Sequence, residues 1–221
     1  MKIKICGLKR IEDVNYVNQY QPDWAGFVFA GEKRKIDFDT AQQLKQHLDS
    51  SIKAVGVFVN ADIPYIEKLV KNHVIDIIQL HGDEDTDYVN QLRVLLNDDD
   101  KSGTEQVPVI KAVRVKDAKQ VLEAQQLPVD YLLLDAFKED ESGGSGKVFD
   151  HNLIPNLTKP YLLAGGMHCD NVTNIIDSLK ARGIKLPFCV DVSSSVETDG
   201  YKDEKKIRDI VHVVRAYNDT Y

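Results

Sequence analysis

Short runs rich in β-branched and aliphatic residues recur along this chain, and a longer stretch with helical apolar spacing follows most of them. No other feature of the sequence constrains the fold as much. The expected strands are Lys2–Cys6, Trp24–Phe29, Lys53–Val59, Ile75–Gln79, Pro108–Val113, Tyr131–Asp135, Tyr161–Leu163 and Phe188–Asp191. Several, such as AVGVFV and YLLLD, are unbroken apolar runs, as befits parallel strands covered on both faces. Helices are expected over Ile11–Tyr20, Phe38–Leu48, Ile63–Lys71, Thr86–Leu96, Lys116–Gln125, Asn171–Leu179 and Glu204–Tyr217. Asp37 is placed to cap the second helix and Pro64 falls in the first turn of the third. Between the sixth and seventh strands only a short helix near Phe149–Ile154 is expected, and Asn97–Gln106 reads as a solvated acidic connection.

Alternating βα units predict an α/β fold with a parallel sheet. Eight of them in 221 residues suit a single closed (β/α)8, or TIM, barrel spanning residues 1–221. An open doubly wound sheet is the competing architecture, which periodicity does not separate from a barrel. The net charge of -7 argues against nucleic acid as a partner, because phosphate-backbone binding needs a basic face. It leaves room for an anionic substrate in a locally positive site. The three cysteines, Cys6, Cys169 and Cys189, match no disulfide or metal spacing, and adjacent His168 and Cys169 make no metal site. No apolar run is long enough to span a bilayer, and MKIKICGLKR lacks the apolar segment of a secretory leader, so the expectation is a soluble cytoplasmic protein.

In a barrel, chemistry sits where strands end and βα loops begin. Those positions here hold Cys6-Gly7, Arg34 within Lys33–Lys35, Gln79-Leu80-His81-Gly82, Asp135, Gly165-Gly166, and Asp191 followed by Ser193–Ser195. Cys6 is either a base, its pKa lowered by Lys4 on the same strand face, or a small buried hydrophobe. Asp135 ends a strongly apolar strand, where desolvation would suit a general acid; it could equally cap a loop. Asp191 has the same two readings, with contact to substrate hydroxyls as the functional one. Arg34 is suited to grip a carboxylate or is a solvated charge, and His81 lines a site or holds its own loop. Gly165 and Gly166 with Ser194 and Ser195 follow the seventh and eighth strands, where barrels commonly bind phosphate. Gly143–Lys147 resembles half a P-loop but has Glu141 for the first glycine and Val148 for the Ser/Thr, so it reads as a lid or a surface connection rather than a nucleotide site.

Taken in order, KICGL, GFVF, the arginine of KRKI, VGVFVN, IQLHG, LLLDAF, GGSGK with a following Phe-Asp, LAGGM with a following Asp-Asn-Val, and DVSSSVE with a following Gly-x-Lys-Asp resemble the phosphoribosylanthranilate isomerase family. The likeness covers essentially the whole chain. It implies a (β/α)8 barrel, an Amadori rearrangement of an aminoaldose phosphate to an aminoketose phosphate in tryptophan biosynthesis, and no cofactor or metal. It implies Cys6 as base, Asp135 as acid, Arg34 on the anthranilate carboxylate, His81 and Asp191 at the substrate, and Gly165, Gly166, Ser194 and Ser195 at the phosphate. One departure is visible: the family's Ser-Ser-Gly is here followed through as Ser193–Ser195, a strain if that position needs a positive φ. The partner expected is a phosphorylated small molecule, with room for transient association with neighbouring pathway enzymes. Two other readings stand beside this one: another phosphosugar isomerase on the same barrel, which would use paired aspartates, and a non-catalytic phosphate-binding barrel subunit, which would be free to lose Cys6 and Asp135.

Overall fold

The computed structural model describes residues 1–98, 106–136 and 150–219. Eight parallel strands, β1 (Lys2–Cys6), β2 (Trp24–Val28), β3 (Lys53–Phe58), β4 (Ile77–Leu80), β5 (Val109–Val115), β6 (Tyr131–Ala136), β7 (Tyr161–Leu163) and β8 (Cys189–Val192), close into a barrel in chain order. Closure is made by β1 beside β8, with Lys4 opposite Asp191. The open sheet is therefore excluded. Around the barrel lie α1 (Ile11–Tyr20), α2 (Phe38–His47), α3 (Ile63–Lys71), α4 (Thr86–Asp98), α5 (Ala118–Ala124), α6 (Val172–Ala181) and α7 (Glu204–Asp219). Between β6 and β7 the described residues hold a single 3-10 turn, His151–Leu153, as the weak periodicity there implied. Phe149 and the Gly143–Lys147 stretch lie outside the described residues.

Expected and observed boundaries differ most where apolar runs cross a strand end. β4 starts at Ile77 rather than Ile75, because Val74 and Ile75 are buried in the preceding turn and not in the sheet. β5 extends to Val115, pairing with β6 through Val115 and Ala136. The helix expected over Lys116–Gln125 shortens to α5 because Asp117 caps it, accepting from the Gln120 amide at 2.8 Å. α4 runs on through Asp98, so the expected acidic connection begins as helix. Asp37 caps α2 as foreseen, accepting from the Thr40 amide at 2.9 Å. α1 starts differently: the buried Asp13 reaches back to the amides of Lys9 and Arg10 at 3.0 and 3.2 Å.

Strand alternation sorts the apolar residues into two cores. Outward positions such as Ile3, Ile5, Phe27, Phe58, Ile78, Leu132, Leu134 and Val190 pack under the helices. Inward positions Trp24, Val55, Ile77, Ile110, Leu133, Leu162 and Cys189 fill the barrel from its floor upward. The same alternation turns Lys4, Cys6, Gln79, Asp135 and Asp191 into the barrel near its C-terminal mouth. Among the described residues no helix is long and apolar enough to cross a membrane.

Candidate active site

β1 carries Lys4 and Cys6 on its inward face, two residues apart, so the lysine lies directly below the thiol. Across from Cys6 stands Gly26, where a Cβ would come within 2.8 Å of the sulfur. Gly7 follows with φ +87, and a Cβ there would meet the Arg34 side chain at 2.5 Å. These two glycines let the thiol sit between strands and let Arg34 fold down against the end of β1. Burial pushes the Cys6 thiol up, and Lys4 opposes that only in part. This corrects the expectation of a lowered pKa: taking the sulfur out of water outweighs the field of the lysine. Cys6 therefore rests as a thiol, and cationic charge at the site promotes its ionisation.

Lys4 is fully buried and donates to Gln79 Oε1 at 2.9 Å and to Asp191 Oδ1 at 3.0 Å. Burial disfavours its charge, but Asp191 and Cys6 more than restore it, so the ammonium is retained. Burial also pushes the Asp191 carboxyl up, against the pull of Lys4. Asp191 is thus first a partner of Lys4, with one oxygen committed below the mouth. The Gln79 amide nitrogen lies 3.0 Å from His81 Nδ1, and His81 Nε2 lies 3.4 Å from Asp135 Oδ2. Asp191, Lys4, Gln79, His81 and Asp135 form one continuous polar chain across the mouth. Asp135 itself is not deeply buried, its side chain being 29% exposed at the end of β6, so the desolvation expected there is only partial.

Arg34 is not a loose surface charge. Its Nε and Nη2 donate to the two carboxylate oxygens of Glu197, both at 2.7 Å. Glu197 also accepts from the buried Lys202 at 2.8 Å, and Lys202 donates to the Ser193 carbonyl at 3.0 Å. Burial would raise Glu197, but Arg34 and Lys202 hold it at about 2. Burial lowers Lys202, which Glu197 resists. Glu197 and Lys202 lie on a small hairpin, β9 (Glu197–Thr198) and β10 (Tyr201–Lys202), whose Tyr201 ring is covered by Lys9 and Arg10 at 4.4 and 4.2 Å. The carboxylate grip takes the side-on edge of the guanidinium, formed by Nε and Nη2, and does not use the Nη1–Nη2 edge.

The loops after β7 and β8, which are neighbouring strands, provide the anion-binding candidates. Gly165 and Gly166 both have positive φ, +77 and +73, a conformation that leaves backbone N–H groups turned the same way and that a side chain would resist. Asn171 fixes this turn, donating to the Gly166 carbonyl at 2.8 Å and accepting from the His168 amide at 2.9 Å. Ser194 and Ser195 open a 3-10 turn, and Ser193 Oγ donates to the Cys6 carbonyl at 3.0 Å, tying this loop to β1. None of the three serines has a positive φ, so serine in this loop brings no strain.

Cys6, His81, Asp135 and Asp191 are thus brought to one mouth, with Arg34 at its rim beside Gly7. The sequence set Gln79 at the end of the fourth strand without assigning it a role, and Glu197 and Lys202 were passed over. Gln79 carried a usable signal: a glutamine at an inward position of the apolar run IIQL. Glu197 and Lys202 stood in motifs already noted but had no visible counterpart for their charges. A cleft of about 840 Å³ between the loops after β3 and β4, lined by Asn60, Tyr65, Glu84 and Tyr88 among others, includes none of the candidate residues.

Residues 3–213 match a family profile described as N-(5'phosphoribosyl)anthranilate (PRA) isomerase. A protein named N-(5'-phosphoribosyl)anthranilate isomerase from Endomicrobium trichonymphae is 46% identical over 97% of this chain and 98% of its own length. Among solved structures, phosphoribosyl anthranilate isomerase from Thermotoga maritima superposes with a TM-score of 0.79 at 30% identity, covering 98% of this chain and 99% of that one. A phosphoribosyl anthranilate isomerase in complex with reduced 1-(o-carboxyphenylamino)-1-deoxyribulose 5-phosphate superposes with a TM-score of 0.75 at 27% identity, covering 98% and 99%.

Proposed function

The chain belongs to the N-(5'-phosphoribosyl)anthranilate isomerase family, and from that premise we infer how its barrel mouth carries out the reaction. It is an aldose–ketose isomerase of tryptophan biosynthesis, converting N-(5'-phosphoribosyl)anthranilate to 1-(2-carboxyphenylamino)-1-deoxyribulose 5-phosphate. The phosphate is held by backbone N–H groups at Gly165 and Gly166 and by Ser194 and Ser195. The anthranilate carboxylate takes the remaining edge of Arg34, which Glu197 keeps in orientation.

Asp135 gives a proton to the furanose oxygen. The C1'–O4' bond breaks as the anthranilate nitrogen lone pair forms a C1'=N bond, leaving a cationic Schiff base. Cys6, its thiol proton having passed to solvent, removes as thiolate the proton on C2'; those electrons form C1'=C2', and the C=N electrons return to nitrogen. The resulting enol then tautomerises, its oxygen losing a proton and C1' gaining one, to give the ketone. Cys6 is suited to this step because its ionisation, opposed by burial, is favoured by the very cation that makes C2' acidic. His81 acts on Asp135 and Asp191 on Lys4, and both face the sugar.

One observation carries this reading. A thiol at the end of β1 and a carboxylate at the end of β6 share one mouth, joined through Lys4, Gln79 and His81. Association with neighbouring pathway enzymes and a cytoplasmic setting belong to the same proposal. The test is fluorescence decay of freshly made phosphoribosylanthranilate on adding the purified chain, without metal or nucleotide. Rapid loss of anthranilate-type fluorescence is expected, with Cys6→Ser lowering kcat by roughly a thousandfold and KM far less. Turnover at the wild-type rate in Cys6→Ser would remove the base assignment; tight phosphate binding with no turnover in the wild type would point to a non-catalytic barrel.

A further inference from the structure

We propose that Gln79 is a positioning residue that fixes the tautomer of His81 and, through it, the oxygen of Asp135 that carries the proton to be donated. The geometry stands by itself; its catalytic consequence rests on the isomerase reading above.

Lys4 sets the direction of the chain. Its ammonium is fully buried, and an ammonium can only donate hydrogen bonds. Gln79, 1% exposed, must therefore turn its carbonyl oxygen to Lys4, as the 2.9 Å contact requires. A flipped amide would set an NH2 group against an NH3⁺ group with no water to separate them. With the carbonyl so fixed, the amide nitrogen is the atom 3.0 Å from His81 Nδ1. That nitrogen also only donates, so Nδ1 must accept and the ring proton must sit on Nε2. Nε2 is the atom facing Asp135 Oδ2 at 3.4 Å. Every link thus points one way, from Lys4 through Gln79 and His81 to Asp135, and Asp191 anchors its origin. Gln79 and His81 can share this chain because they are two residues apart and so turn to the same side of the strand.

The consequence falls on the acid. Asp135 Oδ2 faces an N–H donor, so in the protonated acid that the proposed reaction requires, the proton resides on Oδ1 and not on the oxygen that faces His81. As that proton leaves, negative charge develops on Asp135 and its attraction to the His81 N–H, with Nε2 3.4 Å away, strengthens, an interaction greater in the transition state than in the ground state. With the opposite tautomer, Nε2 would offer a lone pair to Asp135 and compete for the same proton.

Gln79→Glu tests the lock, since it keeps side-chain size and an acceptor for Lys4. Its second oxygen accepts where the amide donated, so a proton is drawn onto His81 Nδ1. Nitrogen-15 spectra of histidine-labelled full-length protein, with the His81 signal assigned by its loss in His81→Gln, read the ring directly and need no substrate. We expect Nδ1 bare and Nε2 protonated in the wild type at neutral pH, and Nδ1 protonated in Gln79→Glu. The variant's kcat should fall by at least roughly tenfold with KM little changed. Should Gln79→Glu fail to fold, Gln79→Met removes the lock without adding charge, and mixed tautomers are expected. A proton on Nδ1 in the wild type, or an unchanged ring in both variants, overturns the lock. An altered ring with wild-type kcat overturns its catalytic consequence. Absence of turnover in the wild type with the expected ring state would overturn the isomerase reading and leave the lock standing.

Discussion

Both ends of the barrel are lined by residues turned to its interior, yet they solve opposite problems. At the floor, Trp24, Tyr131 and Phe188 pack ring to ring with centroids 5.1 to 5.7 Å apart, and Lys2 lies 5.6 and 5.4 Å from the Trp24 and Phe188 rings. At the mouth, four residues further along β1 and at matching heights on β4, β6 and β8, the inward groups are Cys6, Gln79, Asp135 and Asp191 over Lys4. Rings fill the floor and gain stability simply by leaving water. The mouth buries charge, which costs stability unless each ion finds its partner; Lys4 with Asp191 and Lys202 with Glu197 meet that condition. The floor is where this fold is held together, and the mouth is where stability is given up to set protonation states.

Three substitutions bear on this division. The largest effect on stability is expected at the floor: Trp24→Ala removes the ring that packs edge-on to Tyr131 and tilted against Phe188 and should lower unfolding free energy by ~3–5 kcal/mol in denaturant titration. The folded fraction should keep wild-type kcat. A large loss of kcat with stability intact would break the contrast between the two ends.

At the mouth, Lys4→Met should do both kinds of damage. It leaves Asp191 buried without its cation and should cost about 3 kcal/mol. It also removes the charge that holds the Cys6 thiol down, so the thiol rises further. In the proposed reaction Cys6 acts as thiolate, so the rising limb of the kcat/KM profile should move to higher pH. A profile that stays in place would mean that Lys4 serves structure alone.

Of the two mouth substitutions, Glu197→Gln should change the reaction less, with a few-fold rise in KM as Arg34 loses its bidentate hold. Its stability signature is sharper. The folded pKa of Glu197 is about 2 against an ordinary 4.5, so its contribution is fully present above about 4.5 and is lost as pH falls toward 2. Acid titration of stability should therefore show wild type and variant differing at neutral pH and converging across that window. Parallel curves would mean that the carboxylate is not what steadies Arg34.

Much of this was legible in the chain. β1 and β7, and helices α1 and α3, have the bounds their residue patterns imply, because alternation and helical spacing are local properties. The strand-end rule also placed Cys6, His81, Asp135, Asp191, Gly165 and Gly166 at the mouth before any coordinates, since a parallel barrel puts all such ends on one face. Boundaries slipped where burial extended past pairing, as at Val74 and Ile75 before β4, because hydrophobicity reports removal from water and not membership of a sheet.

What sequence determined by itself was the alternation, hence a parallel α/β sheet, and the identity of the groups at its strand ends; closure of that sheet into a barrel was decided by the pairing of β1 with β8. Only the closed structure decided what those groups are to one another. Arg34 meets Glu197 across 163 residues and Lys4 meets Gln79 across 75, through the register that barrel closure imposes. The same enclosure reversed the expected direction for Cys6: the lysine two residues away is written in the chain, but the desolvation that outweighs it depends on Gly26 and the surrounding walls. A side chain's chemistry is local, whereas its protonation and its partners depend on distances and dielectric surroundings that exist only once the barrel is closed.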